Sequence, residues 1–198
     1  MSLALTPYLD AIESDMQTVV CSHSRAQDGL YGMLRYHLGW QDGAGKPTDG
    51  RHGKRLRPLL CLLACEASGG DWRRALPAAT TLELIHNFTL IHDDIEDDSD
   101  LRHQRPTLWK VWGLAQGVNA GDALWALARG SLYRLSALGH GPQQVLDVAR
   151  LLDDTCLALC QGQHLDIASE GDRDISLETY LLLVQGKTAA LTGASLAC

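Results

Sequence analysis

TLELIHNFTLIHDDIEDDSD, residues 81–100, joins an apolar run to six carboxylates in eight positions: Asp93, Asp94, Glu96, Asp97, Asp98 and Asp100. Apolar residues recur at helical spacing, which predicts a helix over 77–97 that ends in acid. Acids at a helix C-terminus face the negative end of the macrodipole, so a merely solvated acidic tip explains the run poorly. A cation would relieve it. Asp93 and Asp97 are four apart and share a helix face, with Asp94 adjacent. This DDxxD spacing suits Mg²⁺, which takes oxygen ligands, keeps several waters and bridges to phosphate oxygens. An EF-hand is excluded, because the central Gly and terminal Glu of that loop are missing.

The rest of the chain reads as helix too. Expected helices cover 3–22, 26–38, 54–68, 77–97, 107–115, 118–138, 142–168 and 176–198, and no alternating strand pattern stands out. Pro77 and Pro142 fall near expected helix starts, where proline is tolerated, and Ser176 is placed to cap the last helix. GWQDGAGKPTDGRHG, residues 39–53, is the clearest loop. Long apolar helices with short connections imply an all-α bundle with its site in the middle. The expected organisation is a single domain over 1–198.

Composition narrows the function. The 198 residues are 45% hydrophobic, enough for a sizeable core, and no window approaches a membrane span. The opening residues carry acids and lack the basic start of a secretory signal, so none is expected there. A net charge of −7 argues against nucleic-acid binding. The six cysteines include the pairs CLLAC and CLALC, which fit small core residues in a reducing cytoplasm better than a zinc site.

Further polar groups interrupt the apolar helices. GKRLRP, residues 53–58, opens a helix with Lys54 and Arg57 three apart, a good anion site but not a P-loop. His86 lies seven residues before Asp93, on nearly the same face and roughly 10 Å down the helix. It is either a satisfied core histidine or a ligand, whereas His92 reads as structural. Arg102, Arg105 and Lys110 follow the acids, either to hold phosphate oxygens or simply to balance charge. CQGQHLDIA places Gln163 and Asp166 three apart, facing one way. In QGKTAAL, Lys187 sits in an apolar helix and needs an anionic partner, while Gly186 and the small residues beside it allow close approach.

Taken in order, GKRLRP, LIHNFTLIHDDIEDDSDLRHQRPT, GQHLD and GKTA resemble the trans-isoprenyl diphosphate synthases, the farnesyl, geranylgeranyl and longer polyprenyl enzymes. The resemblance runs from about residue 50 to the end. It implies a helical bundle around an apolar cavity, usually a homodimer, that condenses isopentenyl diphosphate with an allylic diphosphate (dimethylallyl, geranyl or farnesyl). It further implies that Asp93, Asp94 and Asp97 hold Mg²⁺ against the allylic diphosphate, with Arg102, Gln163, Asp166, Lys187 and Thr188 on that side. Lys54, Arg57 and His86 correspond to the isopentenyl pocket.

Three features are particular to this chain. His103 stands where the family has a second arginine, and imidazole cannot grip a diphosphate bidentately; Arg105 is a candidate replacement. The family's second aspartate-rich motif does not occur up to Cys198, and DDTCL at Asp153 and Asp154 is no substitute. A chain incomplete at its C-terminal side is therefore expected, the alternative being a non-catalytic or regulatory subunit. Phe88 and Thr89, five and four positions before Asp93, are the expected chain-length residues. One aromatic followed by a small Thr implies geranylgeranyl diphosphate as product, then farnesyl diphosphate. A class I terpene cyclase is the other rival, but it has no need of the second basic pocket.

Overall fold

α4, Leu76–Glu96, is the axis of the molecule. Every residue from Pro77 to Ile85 is buried, the polar Thr80, Thr81 and Glu83 among them. A computed structural model describes residues 5–22, 29–48, 53–171 and 174–198 of the chain. The expected helix ends at 3–4 and 26–28 and the loop stretch 49–52 lie outside the described residues.

Around α4 stand α1 (Thr6–Cys21), α2 (Gly29–His37) and α3 (Leu56–Ala67). A 3₁₀ turn at Trp72–Ala75 leads into α4, and a two-residue hairpin, β1 (Leu101–Arg102) with β2 (Arg105–Pro106), follows it. Then come α5 (Leu108–Trp112), α6 (Leu114–Leu132), a 3₁₀ stretch at Tyr133–Leu138 and α7 (Pro142–Ala168). α8 (Leu177–Val184) and α9 (Ala190–Ala197) are joined by a π-helical turn, Gln185–Ala189. Among the described residues no helix is long and apolar enough to cross a membrane.

α4 packs most extensively on α6. Ala120, Leu124, Ala128 and Leu132, spaced by four, are fully buried against it. Gly121 lets the helices approach: a Cβ there would lie 2.2 Å from His92 Nε2. Ile12, Met16 and Val20 of α1, Leu34 of α2, Leu62 of α3 and Leu152 of α7 close the same core. Pro77 and Pro142 do sit in first helical turns, and Ser176 Oγ accepts from Thr179 N at 3.0 Å.

Four expectations need correction. The helix drawn over 176–198 is interrupted by the π turn, whose i→i+5 bonding admits one extra residue. The helices drawn over 107–115 and 118–138 are α5 and α6, divided at Gly113, whose φ of 88° ends the first. The acid-to-base segment carries a hairpin that no apolar alternation announced. The cysteines divide as well: Cys61 is buried, but Cys21 and Cys160 are exposed.

Candidate active site

Four elements bring charge to the C-terminal end of α4. The turn of the hairpin is made by His103 and Gln104, both left-handed at φ 51° and 63°. Two such residues suit the twist of a two-residue hairpin. The turn carries Arg102 back over the helix. Arg102 Nε donates to both oxygens of Asp94 at 2.8 and 3.0 Å, and Nη2 lies 2.8 Å from Asp94 Oδ1. The same guanidinium is 3.8 Å from Asp93. Asp94 is buried at 2% exposure, so this fork supplies the hydrogen bonds its carboxylate would otherwise lack. Burial pushes the Asp94 carboxyl up, while Arg102 pulls it back down.

Lys187 closes the other side. Its ammonium donates to Asp166 of α7 and lies 3.1 Å from Asp93. Partial burial works against the charge, but the bonds to Asp166 and Asp93 outweigh it and hold Lys187 above the ordinary lysine range. The anionic partner that an apolar helix demanded of this lysine is thus a pair of carboxylates. Its placement depends on two glycines in contact. A Cβ at Gly162 would lie 2.2 Å from Lys187 N and 2.6 Å from Gly186 C; one at Gly186 would lie 2.8 Å from Ala158 O. These are backbone atoms, which cannot swing aside. Gly162→Ala is therefore expected to cost ~1–3 kcal/mol by overpacking and to draw Lys187 away from Asp93. Urea denaturation reads the cost, and an unchanged midpoint would mean that the α7 contact yields freely.

Two cavities open beside this cluster. One, about 300 Å³, is bordered by Arg55, Arg102, Arg105, His37, His86 and His103. Burial, with the charges of Arg102 and neighbouring groups, pushes His37 down to about 3; burial and Arg57 do the same to His86. Both of these imidazoles are held in the neutral form at pH 7, and Arg55, Arg102 and Arg105 bring positive charge to this cavity beside Glu83 and Asp94. The other, about 440 Å³, has apolar walls including Phe88, Leu159, Ile167 and Leu191, with Asp93 and Lys187 at its polar end. Two buried donors at this second cavity, Arg57 Nε and Gln163 Nε2, have no acceptor among the described residues. His86 and Leu90 border both cavities.

The residues named from the sequence are distributed as follows. Arg57, His86, Phe88, Thr89, Asp93, Gln163, Lys187 and Thr188 border the apolar cavity. His86, Asp94, Arg102 and His103 border the polar one. Asp166 joins through Lys187, and Asp97, the C-cap of α4, is exposed. Lys54 is exposed and borders neither cavity. Its neighbour Arg55 takes the inside place, with a left-handed φ of 48° and paired to Glu13 at 3.2 Å and Glu83 at 2.8 Å. Spacing of three favoured Lys54 and Arg57 and passed over Arg55; His37 had no signal at all.

The donor chemistry fits a divalent cation. Asp93, Asp97 and Asp166 offer hard carboxylate oxygens. An ammonium already sits between Asp93 and Asp166, so that space accepts positive charge. Among the described residues, however, no three His, Cys, Asp or Glu side chains converge as a formed metal cluster, and Asp94 is engaged by Arg102.

Comparison with known proteins bears on the family and the fold. The polyprenyl synthetase family profile matches residues 45–198. The (2E,6E)-farnesyl diphosphate synthase of Mycobacterium tuberculosis is 40% identical over 163 residues, covering 82% of this chain and 44% of that protein. The geranylgeranyl diphosphate synthase of the same organism is 37% identical over 94% of this chain and 56% of its own length. The crystal structure of a polyprenyl synthetase from Streptomyces coelicolor superposes with a TM-score of 0.87 at 34% identity, over 96% of this chain and 54% of that one. A geranylgeranyl pyrophosphate synthetase from Geoglobus acetivorans gives 0.84 at 32% identity, over 98% and 58%. The chain spans about half the length of the curated relatives it matches. With its ordered motifs, its α4 acids and a fold shared at this level of identity, the chain belongs to the polyprenyl synthetase family.

Proposed function

We propose that this protein is a Mg²⁺-dependent trans-prenyltransferase that adds isopentenyl diphosphate to an allylic diphosphate, giving a short-chain prenyl diphosphate. The observation that carries the reading is the meeting of two unlike cavities at His86 and Leu90. One is bordered by three guanidiniums, two of them paired to Glu83 and Asp94, and suits a small anion. The other has an apolar wall for a tail and charged groups for a head. Two diphosphates in these places would present their reacting ends across the shared wall. A terpene cyclase would have no use for the guanidinium-lined cavity.

In this reading the residues divide the work. Lys187, Arg57, Gln163 and Thr188 hold the allylic diphosphate, and Lys187 offsets negative charge as the allylic C–O bond breaks; Arg57 and Arg102 thus exchange the sides that the resemblance gave them. Asp93 and Asp97, with Asp94 once it gives up its pair with Arg102, would hold Mg²⁺, which supplies further charge neutralisation at the leaving diphosphate. Phe88, Leu159, Ile167 and Leu191 exclude water that would quench the allylic cation. Arg102, His86, His103 and the α3 entry hold the isopentenyl diphosphate. Lys54 belongs to the same reading, since its exposed ammonium stands beside Arg55 at that entry. A homodimer is part of the reading and rests on family membership.

The test is elongation of dimethylallyl, geranyl and farnesyl diphosphates with labelled isopentenyl diphosphate, with and without Mg²⁺. Product from at least one primer, lost on chelation, is expected; none from any primer overturns the reading. Product length follows from the apolar cavity. Phe88 and Thr89 both border it, and Thr89 Oγ1 is turned to His86 O at 2.8 Å, a small side chain spent on its own helix. Geranylgeranyl diphosphate is the product this wall favours, ahead of farnesyl diphosphate. Thr89→Phe fills the space with a ring and is expected to shorten the main product by one isoprene unit. Unchanged length on chromatography of the dephosphorylated products would mean that the tail stops elsewhere.

A further inference from the structure

α2 ends on a polar residue that its packing does not explain. His37 follows Met33 by four positions and Leu34 by three, and both of those are buried, so it stands on the stripe that α2 turns to the core. The helix closes just past it. Gly39 takes the left-handed place at φ 84°, its N–H donates to Tyr36 O at 3.0 Å, and Trp40 N donates to Arg35 O at 2.8 Å. This double closure fixes the last turn, and His37 with it. Tyr36 ties the same turn to the hairpin. Its Oη donates to Pro106 O at 2.7 Å, and the Arg105 guanidinium lies over its ring with the central carbon 4.2 Å from the centroid. His37 is thereby held on the wall of the polar cavity that Arg102 and Arg105 also border.

His37 Nε2 is sealed from solvent and has no partner among the described residues. Arg57 and Gln163, which share that condition, border the other cavity, and Arg55 has its two glutamates. A buried polar atom left unpaired weakens a fold, and its presence calls for an explanation in what it binds. Burial, then the positive charge of Arg102, His86, His103 and Arg105, holds the imidazole neutral. A neutral imidazole has one N–H, and with the hydrogen on Nε2 that atom is a donor. The guanidiniums around the cavity are donors too, so what His37 lacks is an acceptor, and an anion brings several.

We propose that His37 is a substrate-binding residue, a neutral Nε2–H donor from α2 to a diphosphate oxygen of the isopentenyl substrate. The inference rests on the prenyltransferase reading of the polar cavity and adds to it a ligand from outside the segments that carry the family motifs. Gly39 and Tyr36 are its positioning residues, the one by closing the helix and the other by anchoring it to the hairpin.

The test compares the unaltered protein with His37→Leu, which removes both ring nitrogens, and His37→Gln, whose amide nitrogen can take the place of Nε2. Calorimetric titration with inorganic diphosphate in the absence of metal reads binding, and urea denaturation without ligand reads the fold. His37→Leu is expected to weaken diphosphate binding about tenfold, the scale of one lost hydrogen bond to a charged group. Its urea midpoint should stay level or rise, because no unpartnered N–H remains buried. His37→Gln should keep affinity within about threefold, since it restores a donor. In elongation assays His37→Leu should raise KM for isopentenyl diphosphate about tenfold and leave kcat and the KM of the allylic primer within about threefold, the pattern of lost ground-state binding at one site. Affinity within about twofold for His37→Leu overturns the assignment. So does an equal loss in His37→Gln, or a rise in KM for the primer instead. A histidine kept for packing alone would lower the urea midpoint of His37→Leu or stop it folding, and either result also overturns the assignment. In all of these cases the unaltered protein still binds diphosphate, and the cavity's role stands. Absence of diphosphate binding to the unaltered protein overturns both the assignment and the reading beneath it.

Discussion

Arg55→Ala is expected to remove ~3–5 kcal/mol of stability, the usual cost of breaking a buried ion pair from one side. Arg55 is 4% exposed, and its guanidinium lies between Glu83, nearly as buried, and Glu13. Burial alone would lower its pKa, but the two carboxylates overcome this and raise it. Removing the cation leaves two carboxylates with no counter-charge in a place that water reaches poorly. The loss also spreads, because Glu13 accepts from Trp40 Nε1, and Glu83 Oε1 lies 3.2 Å from Asn87 Nδ2. α1, α3, α4 and the loop after α2 are all tied at this one arginine. Urea denaturation of the variant measures the cost. A fall below about 1 kcal/mol would mean that the pair behaves as a hydrated surface bridge. Arg55→Met combined with Glu13→Gln and Glu83→Gln should recover much of the loss, since apolar and neutral groups need no counter-ion there.

Lys187→Gln is expected to lower prenyl transfer about 10²–10³-fold, the range seen when one preorganised charge or donor to a developing anion is removed. The lysine is held between Asp93 and Asp166, so glutamine leaves two carboxylates facing each other across its place. That vacated pair should bind divalent ions more tightly even as turnover falls. Mg²⁺ titration by calorimetry and rate measurement on the same variant separate the two effects. A turnover within about threefold of the unaltered protein would show that Lys187 only balances charge. Tighter ion binding with recovered rate at high Mg²⁺ would point the same way.

α4 was legible almost to the residue because its pattern is unambiguous. Proline stands at its start, apolar residues recur at helical spacing along it, and acids mark its end. The Asp93 and Lys187 partnership was half legible: an ammonium in an apolar helix demands an anion, yet which one depends on how α7 meets the π turn. The hairpin escaped notice because His103 and Gln104 replace the Gly or Asn that normally announces a left-handed turn. Arg55 carries no helical signal because it precedes the first residue of α3. Its left-handed backbone lies outside that periodicity and turns the side chain inward.

The wide turn between α8 and α9 has a corollary for deletions. It works as a local take-up of slack: the surplus residue among 185–189 is absorbed by wider winding, so the helices on either side keep nearly the same facing. Deleting that residue should leave both rods in place and tighten only the turn itself. The change would fall on Gly186, whose backbone meets Gly162 within this wider stretch.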